Sequence, residues 1–185
     1  MDKKIIGIMV GSLRRDSFSK KVAIYLSGLL EKQFEIKFFN IASLAMYNQD
    51  LDNESDAPQE WRSFRQEVKA VDAVLFVTPE YNRSMPPALK NALDIASRPM
   101  AASSWNGKPG AIVSISPGAV GGFGANQHLR QSAACLNISI MPSPEAYIGG
   151  VANLVDLNGV SDKKAQEFLK KFADAFAAWV GKLAP

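Results

Sequence analysis

Short apolar runs alternate with helical stripes along the whole chain. Ile5–Val10 is a continuous apolar run, the pattern of a strand covered on both faces. Val22, Ala23, Leu26, Leu29 and Leu30 then recur at helical spacing. Residues 35–41 read as a second strand, and Trp61, Phe64, Val68 and Val71 as the next helical stripe. Residues 73–78 are a wholly apolar third strand. Ala88, Leu89, Ala92, Leu93 and Ala96 mark a third helix, opened by Pro86-Pro87, where a missing N–H costs nothing. Residues 110–116 predict a fourth strand, 125–136 a fourth helix and 138–141 a fifth strand. A last helix from about Asp162 carries Ala165, Phe168, Leu169, Phe172, Phe176, Trp179, Val180 and Leu183 on one face. Residues 42–59 and 147–161 read as long irregular connections.

Alternating strands and helices with buried strands predict an α/β fold: a parallel sheet with helices on both faces. Five strands favour the doubly wound, flavodoxin-like order 2-1-3-4-5. Ligands of such sheets sit outside the carboxyl ends of the strands at the switch in strand order, here between the first and third strands. The loops after the first, third and fourth strands are therefore expected to build any site.

The loop after the first strand is Gly11-Ser12-Leu13-Arg14-Arg15-Asp16-Ser17-Phe18-Ser19. A helix start offers N–H groups without intrahelical partners, at the positive end of the macrodipole. Three hydroxyls and one or two guanidinium groups join them, a donor set for one terminal phosphate. A Walker A loop would need Gly-Lys before Ser or Thr, and that triplet is missing. A dinucleotide fingerprint would need three spaced glycines, where only Gly7 and Gly11 stand, and an acid after the second strand, where Asn40 stands. Taken alone, the loop is equally compatible with an ordinary turn and a serine helix cap.

Thr78-Pro79-Glu80-Tyr81-Asn82-Arg83-Ser84-Met85-Pro86-Pro87 follows the third strand, a stiff polar loop with one aromatic. Ser116-Pro117-Gly118-Ala119-Val120-Gly121-Gly122 follows the fourth, and its glycines let main chain approach a flat ligand. A phosphate cradle, a polar edge and a close backbone surface together fit flavin mononucleotide.

These motifs resemble the NAD(P)H-dependent FMN reductase family, the flavodoxin-like branch with quinone- and chromate-reducing members. Gly11, Ser12, Arg14 and Ser17 follow its phosphate-loop pattern, and Thr78 to Asn82 its Thr-Pro-Glu-Tyr-Asn. Leu89-Lys90-Asn91-Ala92, Asp94, Gly121-Gly122, His128-Leu129-Arg130-Gln131 and Pro144-Glu145 are similar as well. The resemblance implies FMN as cofactor, NADPH or NADH as co-substrate, and a small-molecule electron acceptor such as a quinone, chromate, an azo or nitro compound, or free flavin. It implies that Ser12, Arg14, Ser17, Phe18 and Ser19 hold the phosphate region. Pro79, Glu80, Tyr81 and Asn82 would line the ring, largely through backbone groups, and Ser116 and Gly118 its other edge. It also implies a homodimer or homotetramer. Ser19 stands where the family usually has Asn, Arg83 where many members have a second Tyr, and Pro87 where Gly is common. Arg83 is accordingly expected to bind substrate from a partly dry cleft, attracting the 2′-phosphate of NADPH or an anionic acceptor.

No side chain is obliged to act as acid or base in flavin hydride transfer, so no catalytic residue is assigned. His128, the only histidine, reads as structural or interfacial, and Cys135 in Ala-Ala-Cys-Leu reads as a small buried hydrophobe. Asp50, Asp52, Glu54 and Asp56 imitate a calcium loop without its glycine and terminal glutamate, so a solvated loop and no metal are expected.

At 185 residues the chain suits one domain, 1–185. Its longest apolar runs are too short to span a bilayer, and Met1-Asp2-Lys3-Lys4 lacks the features of a signal peptide. One cysteine fits a reducing cytoplasm. The net charge of +3 comes from dispersed lysines rather than an aromatic-interleaved stripe, which argues against a nucleic-acid partner. The alternative is a flavodoxin-like electron carrier or FMN-binding protein without nicotinamide chemistry of its own, and the basic charge argues against the carrier, which usually needs an acidic docking face. Release of reduced flavin to a partner oxygenase is a further alternative that residues alone leave open.

Overall fold

The computed structural model describes residues 3–53 and 56–184. Four strands run parallel: β1 (Ile5–Val10), β2 (Glu35–Phe38), β3 (Ala73–Pro79) and β4 (Pro109–Ile115), with β2 at one edge. With β5 (Ser139–Ile140) the order is β2-β1-β3-β4-β5, as the alternating pattern predicts. The chain ends β1 beside β3 and β3 beside β4, with Val10 opposite Val77 and Thr78 opposite Ser114. That register brings the three loops after these strands to one rim of the sheet.

The pleat divides the core in two. Ile6, Ile8, Leu75, Val77, Ala111 and Val113 pack beneath α1 (Phe18–Leu30) and α5 (Lys163–Leu183). Met9, Val74, Phe76 and Ile112 face α2 (Gln59–Lys69), α3 (Pro87–Ala96) and α4 (Phe123–Cys135). Helix α5 shows which force dominates. Leu169, Phe172, Phe176 and Val180 are buried, on the order of 6–12 kcal/mol of gross apolar burial. Its Lys170–Asp174 pair is more than half exposed, worth about 0.5 kcal/mol at most. Asp162 caps the helix by accepting the Ala165 N–H at 2.8 Å.

Three features depart from the sequence expectation. The second strand stops at Phe38 rather than residue 41, because Asn40 Oδ1 accepts the Ala42 N–H and turns the chain. The fifth strand is interrupted: β5 pairs with Pro109 and Gly110, and β6 (Ala146–Ile148) resumes beside Val113–Ile115. Pro142 and Pro144 lie between the two and cannot donate to the ladder. Residues 147–161 are also less irregular than expected. Besides β6 they contain a hairpin of β7 (Val155–Asp156) and β8 (Gly159–Val160).

Cys135 is exposed, not a buried hydrophobe. The inward face of α4 is Ala125, Asn126, Leu129 and Ala133, and residue 135 falls off that stripe at the helix end. The acidic loop is partly tied down: Asp52 pairs with Arg65 at 2.6 Å and accepts the Tyr47 hydroxyl at 3.1 Å. Glu54 lies outside the described residues. No helix among the described residues is long and apolar enough to cross a membrane.

Candidate functional site

At the end of β1 the Gly11 N–H donates to Val77 O at 2.9 Å, which presses the loop against β3. A Cβ at Gly11 would stand 2.7 Å from Thr78 Oγ1, so only glycine permits this approach. Ser17 then caps α1, its Oγ accepting the Lys20 N–H at 3.3 Å while its O–H remains a donor. The Ser12, Leu13, Phe18 and Ser19 amides donate to no acceptor among the described residues. Ser12 is half-buried, Ser17 and Ser19 are buried, and Arg14 is exposed and without an ion-pair partner among the described residues. This donor set fits a terminal phosphate.

After β3 the chain makes a tight reversal. Tyr81 and Ser84 exchange both backbone hydrogen bonds, at 2.9 and 3.0 Å, around Asn82 and Arg83 with φ of 50° and 66°. This is the twist of a two-residue primed turn, which asparagine tolerates well and arginine poorly. Gly11, Arg14, Tyr81 and Pro86 line one cleft of 450 Å³ between the first and third loops, at the switch in strand order.

The Glu80 side chain turns away from that cleft. Its Oε2 accepts the Ala125 N–H at 3.0 Å, and its Oε1 pairs with Arg83 Nη1 at 3.4 Å. The Arg83 side chain is 77% exposed, so the partly dry setting expected for it is not found. His128 Nδ1 lies 2.9 Å from Ser84 Oγ on the exposed side of α4, a bond that supports the same loop.

The loop after β4 is fastened from beneath. Ser114 Oγ donates to Gly121 O at 2.8 Å, and buried Asn126 reaches Ser114 Oγ at 3.2 Å. Arg130 Nε in turn donates to Asn126 Oδ1 at 3.0 Å and faces Glu145 at 3.4 Å. Ser116 Oγ accepts the Gly118 N–H at 3.0 Å, and Gly118 O accepts the Gly150 N–H at 3.1 Å. Ser116 and Gly118 thus occupy the expected rim beside β3, although neither lines the cleft between Arg14 and Tyr81. Tyr147, on the neighbouring strand, hydrogen-bonds Gln127 at 2.7 Å, and burial pushes its hydroxyl above the ordinary tyrosine value.

Ser114 and Asn126 are therefore supporting residues that the motifs do not single out, and Arg130, quoted within His128-Leu129-Arg130-Gln131, supports them. The signal lay in the pattern itself: a serine inside an otherwise apolar strand, and an asparagine on a buried helical stripe.

Residues 4–153 match the family described as NADPH-dependent FMN reductase. The chain is 50% identical to a quinone reductase of Pseudomonas putida over 175 residues, 95% of this chain and 94% of that protein. It is 48% identical to a 2-hydroxy-1,4-benzoquinone reductase of Burkholderia sp over 176 residues, 95% of each. Its fold is similar to that of the flavoenzyme NAD(P)H:(acceptor) oxidoreductase FerB from Paracoccus denitrificans. The TM-score is 0.91 at 39% identity, covering 98% of this chain and 100% of that one.

Proposed function

The chain belongs to the NADPH-dependent FMN reductase family, and from that premise we propose a quinone-reducing role with the residue assignments that follow. It is an FMN-dependent NAD(P)H oxidoreductase, and its small-molecule acceptor is assigned here to the quinones, which two relatives are named for. The observation that carries the residue assignments is the single cleft shared by Gly11, Arg14 and Tyr81 at the strand switch.

The loop residues would hold FMN, which would supply the hydride and electron-transfer chemistry between NAD(P)H and the acceptor. The protein binds and orients it. Ser12, Arg14, Ser17, Phe18 and Ser19 hold the phosphate end, with the Ser17 hydroxyl proton and the uncommitted loop amides as donors. Pro79, Glu80, Tyr81 and Asn82 present backbone along the ring, while Ser116 and Gly118 take its far edge. Arg83 stands at the rim, where its guanidinium attracts anionic acceptors. No side chain acts as an obligatory acid or base.

A homodimer or homotetramer in the cytoplasm completes the proposal, in keeping with the single, exposed cysteine. The test is the visible spectrum of the purified protein, followed by anaerobic NADPH. One FMN per chain with flavin bands that bleach is expected. A protein that cannot be reconstituted with FMN, or that selects FAD, overturns the assignments.

A further inference from the structure

Leu13 and Arg14 form a wall between two clefts. One is the cleft shared with Tyr81. The other, of 460 Å³, opens on the opposite side of the loop, toward the carboxyl end of β2, within the size range of small-molecule sites.

Its lining combines two surfaces that soluble proteins seldom leave together. Leu13, Ile24 and Phe38 are large hydrophobes exposed by 55%, 53% and 44%, gathered rather than scattered. Arg14, Arg15 and Lys20 border them, and none of the three has an ion-pair partner among the described residues. No carboxylate among the described residues lines the cleft. Asn40 stands where the chain leaves β2, its Oδ1 occupied by the Ala42 N–H. In the six-strand dinucleotide-binding sheets, whose strand order differs from this one, the corresponding place discriminates the adenosine ribose. An acid there binds a free 2′-hydroxyl and repels a phosphate, whereas a nearby cation accommodates a 2′-phosphate. Here an amide stands in place of the acid, and three cations line the same cleft. Arg83, the other candidate for that phosphate, is paired with Glu80 and lies outside both clefts.

We infer that the cleft beside β2 binds the 2′-phosphoadenosine end of NADPH. The base lies against Leu13, Ile24 and Phe38, and the phosphate on Arg15 and Lys20. The inference rests on NAD(P)H being the co-substrate. Arg15 and Lys20 are thus specificity residues for the co-substrate, separate from those assigned to the FMN phosphate.

Isothermal titration calorimetry on the FMN-saturated enzyme, with adenosine 2′,5′-bisphosphate and with 5′-AMP, tests this directly. The bisphosphate is expected to bind about tenfold tighter or better, with the preference shrinking as salt is raised. Arg15→Ala/Lys20→Ala and, separately, Asn40→Asp should abolish the preference. The same variants should raise the KM for NADPH about tenfold and leave that for NADH unchanged. Equal affinities in the parent enzyme, or a preference that survives the double substitution, overturn the inference. Flavin reduction by NADH is followed in the same samples. If it persists without any bisphosphate preference, the cleft assignment falls and the oxidoreductase reading stands. If neither pyridine nucleotide reduces the flavin, both fall.

Discussion

Glu80 Oε2 accepts the Ala125 N–H at 3.0 Å, so one carboxylate ties the loop after β3 to the first turn of α4. Gly124 makes the contact possible, since a Cβ there would come within 2.9 Å of the same oxygen. Glu80→Ala leaves a helix-start amide without its partner, at about 0.5–2 kcal/mol. Glu80→Gln keeps an acceptor and should recover part of the loss. Thermal unfolding of the apo and FMN-loaded protein measures both, and equal stability of parent and Glu80→Ala would show that the tie does not matter.

Arg14→Ala should weaken FMN binding roughly ten- to a hundred-fold, the loss of one charge-assisted contact of about 1.5–3 kcal/mol. Turnover of the remaining flavin-loaded enzyme should change much less. Fluorescence titration of apoprotein with FMN gives the constant, and no change would move the phosphate contact to Arg15 or the serines.

Gly121→Ala should destabilise the loop after β4 by upwards of about 1 kcal/mol. Gly121 has φ of 64°, and an added Cβ would lie 2.5 Å from the Tyr147 carbonyl carbon, which is backbone and cannot swing aside. Chemical denaturation and FMN affinity should both register it. Gly150→Ala, also at positive φ but with open space around the Cβ, separates the conformational cost from the clash.

Arg83→Tyr should raise the KM for an anionic acceptor by about two- to five-fold, the scale of an exposed charge, and abolish its salt dependence. A neutral quinone should be unaffected. Equal responses from both acceptors would assign Arg83 to the turn alone.

Burial lowers the Lys108 ammonium below the ordinary lysine value, more than nearby Asp72 raises it. With the folded value depressed, the unfolded chain binds more protons in the window just below 10.5, so stability from this group rises with pH there. The unfavourable contribution is full below the folded value. Lys108→Met should flatten that slope in urea midpoints taken from pH 8 upward, and an unchanged slope would locate it elsewhere.

The alternation of strand runs and helical stripes made the sheet order readable, because strands covered on both faces betray themselves as unbroken apolar segments such as Ala73–Pro79. Gly11 and the serines of the first loop were readable for a similar reason: close approach and capping restrict residue type. What escaped was decided by partners distant in sequence. Glu80 could not be seen turning to Ala125, 45 positions away, nor Ser114 meeting Asn126. Ala146–Ile148 was hidden because three residues are too few to show a period, and the prolines before it read as loop. Cys135 misled by its neighbours, since small apolar residues at a helix end do not specify which way the end faces.

The proline break between β5 and β6 also bears on behaviour in crowded solution. An uninterrupted outer strand presents a row of unpaired amides and carbonyls to which another chain can add, the first step toward aggregation. This margin offers two residues, then a stretch holding Pro142 and Pro144, then three more. The opposite margin, β2, is four residues long and carries Lys37, a charge that discourages strand addition. Both flanks are thus blunted, and a second molecule finds no ladder long enough to extend.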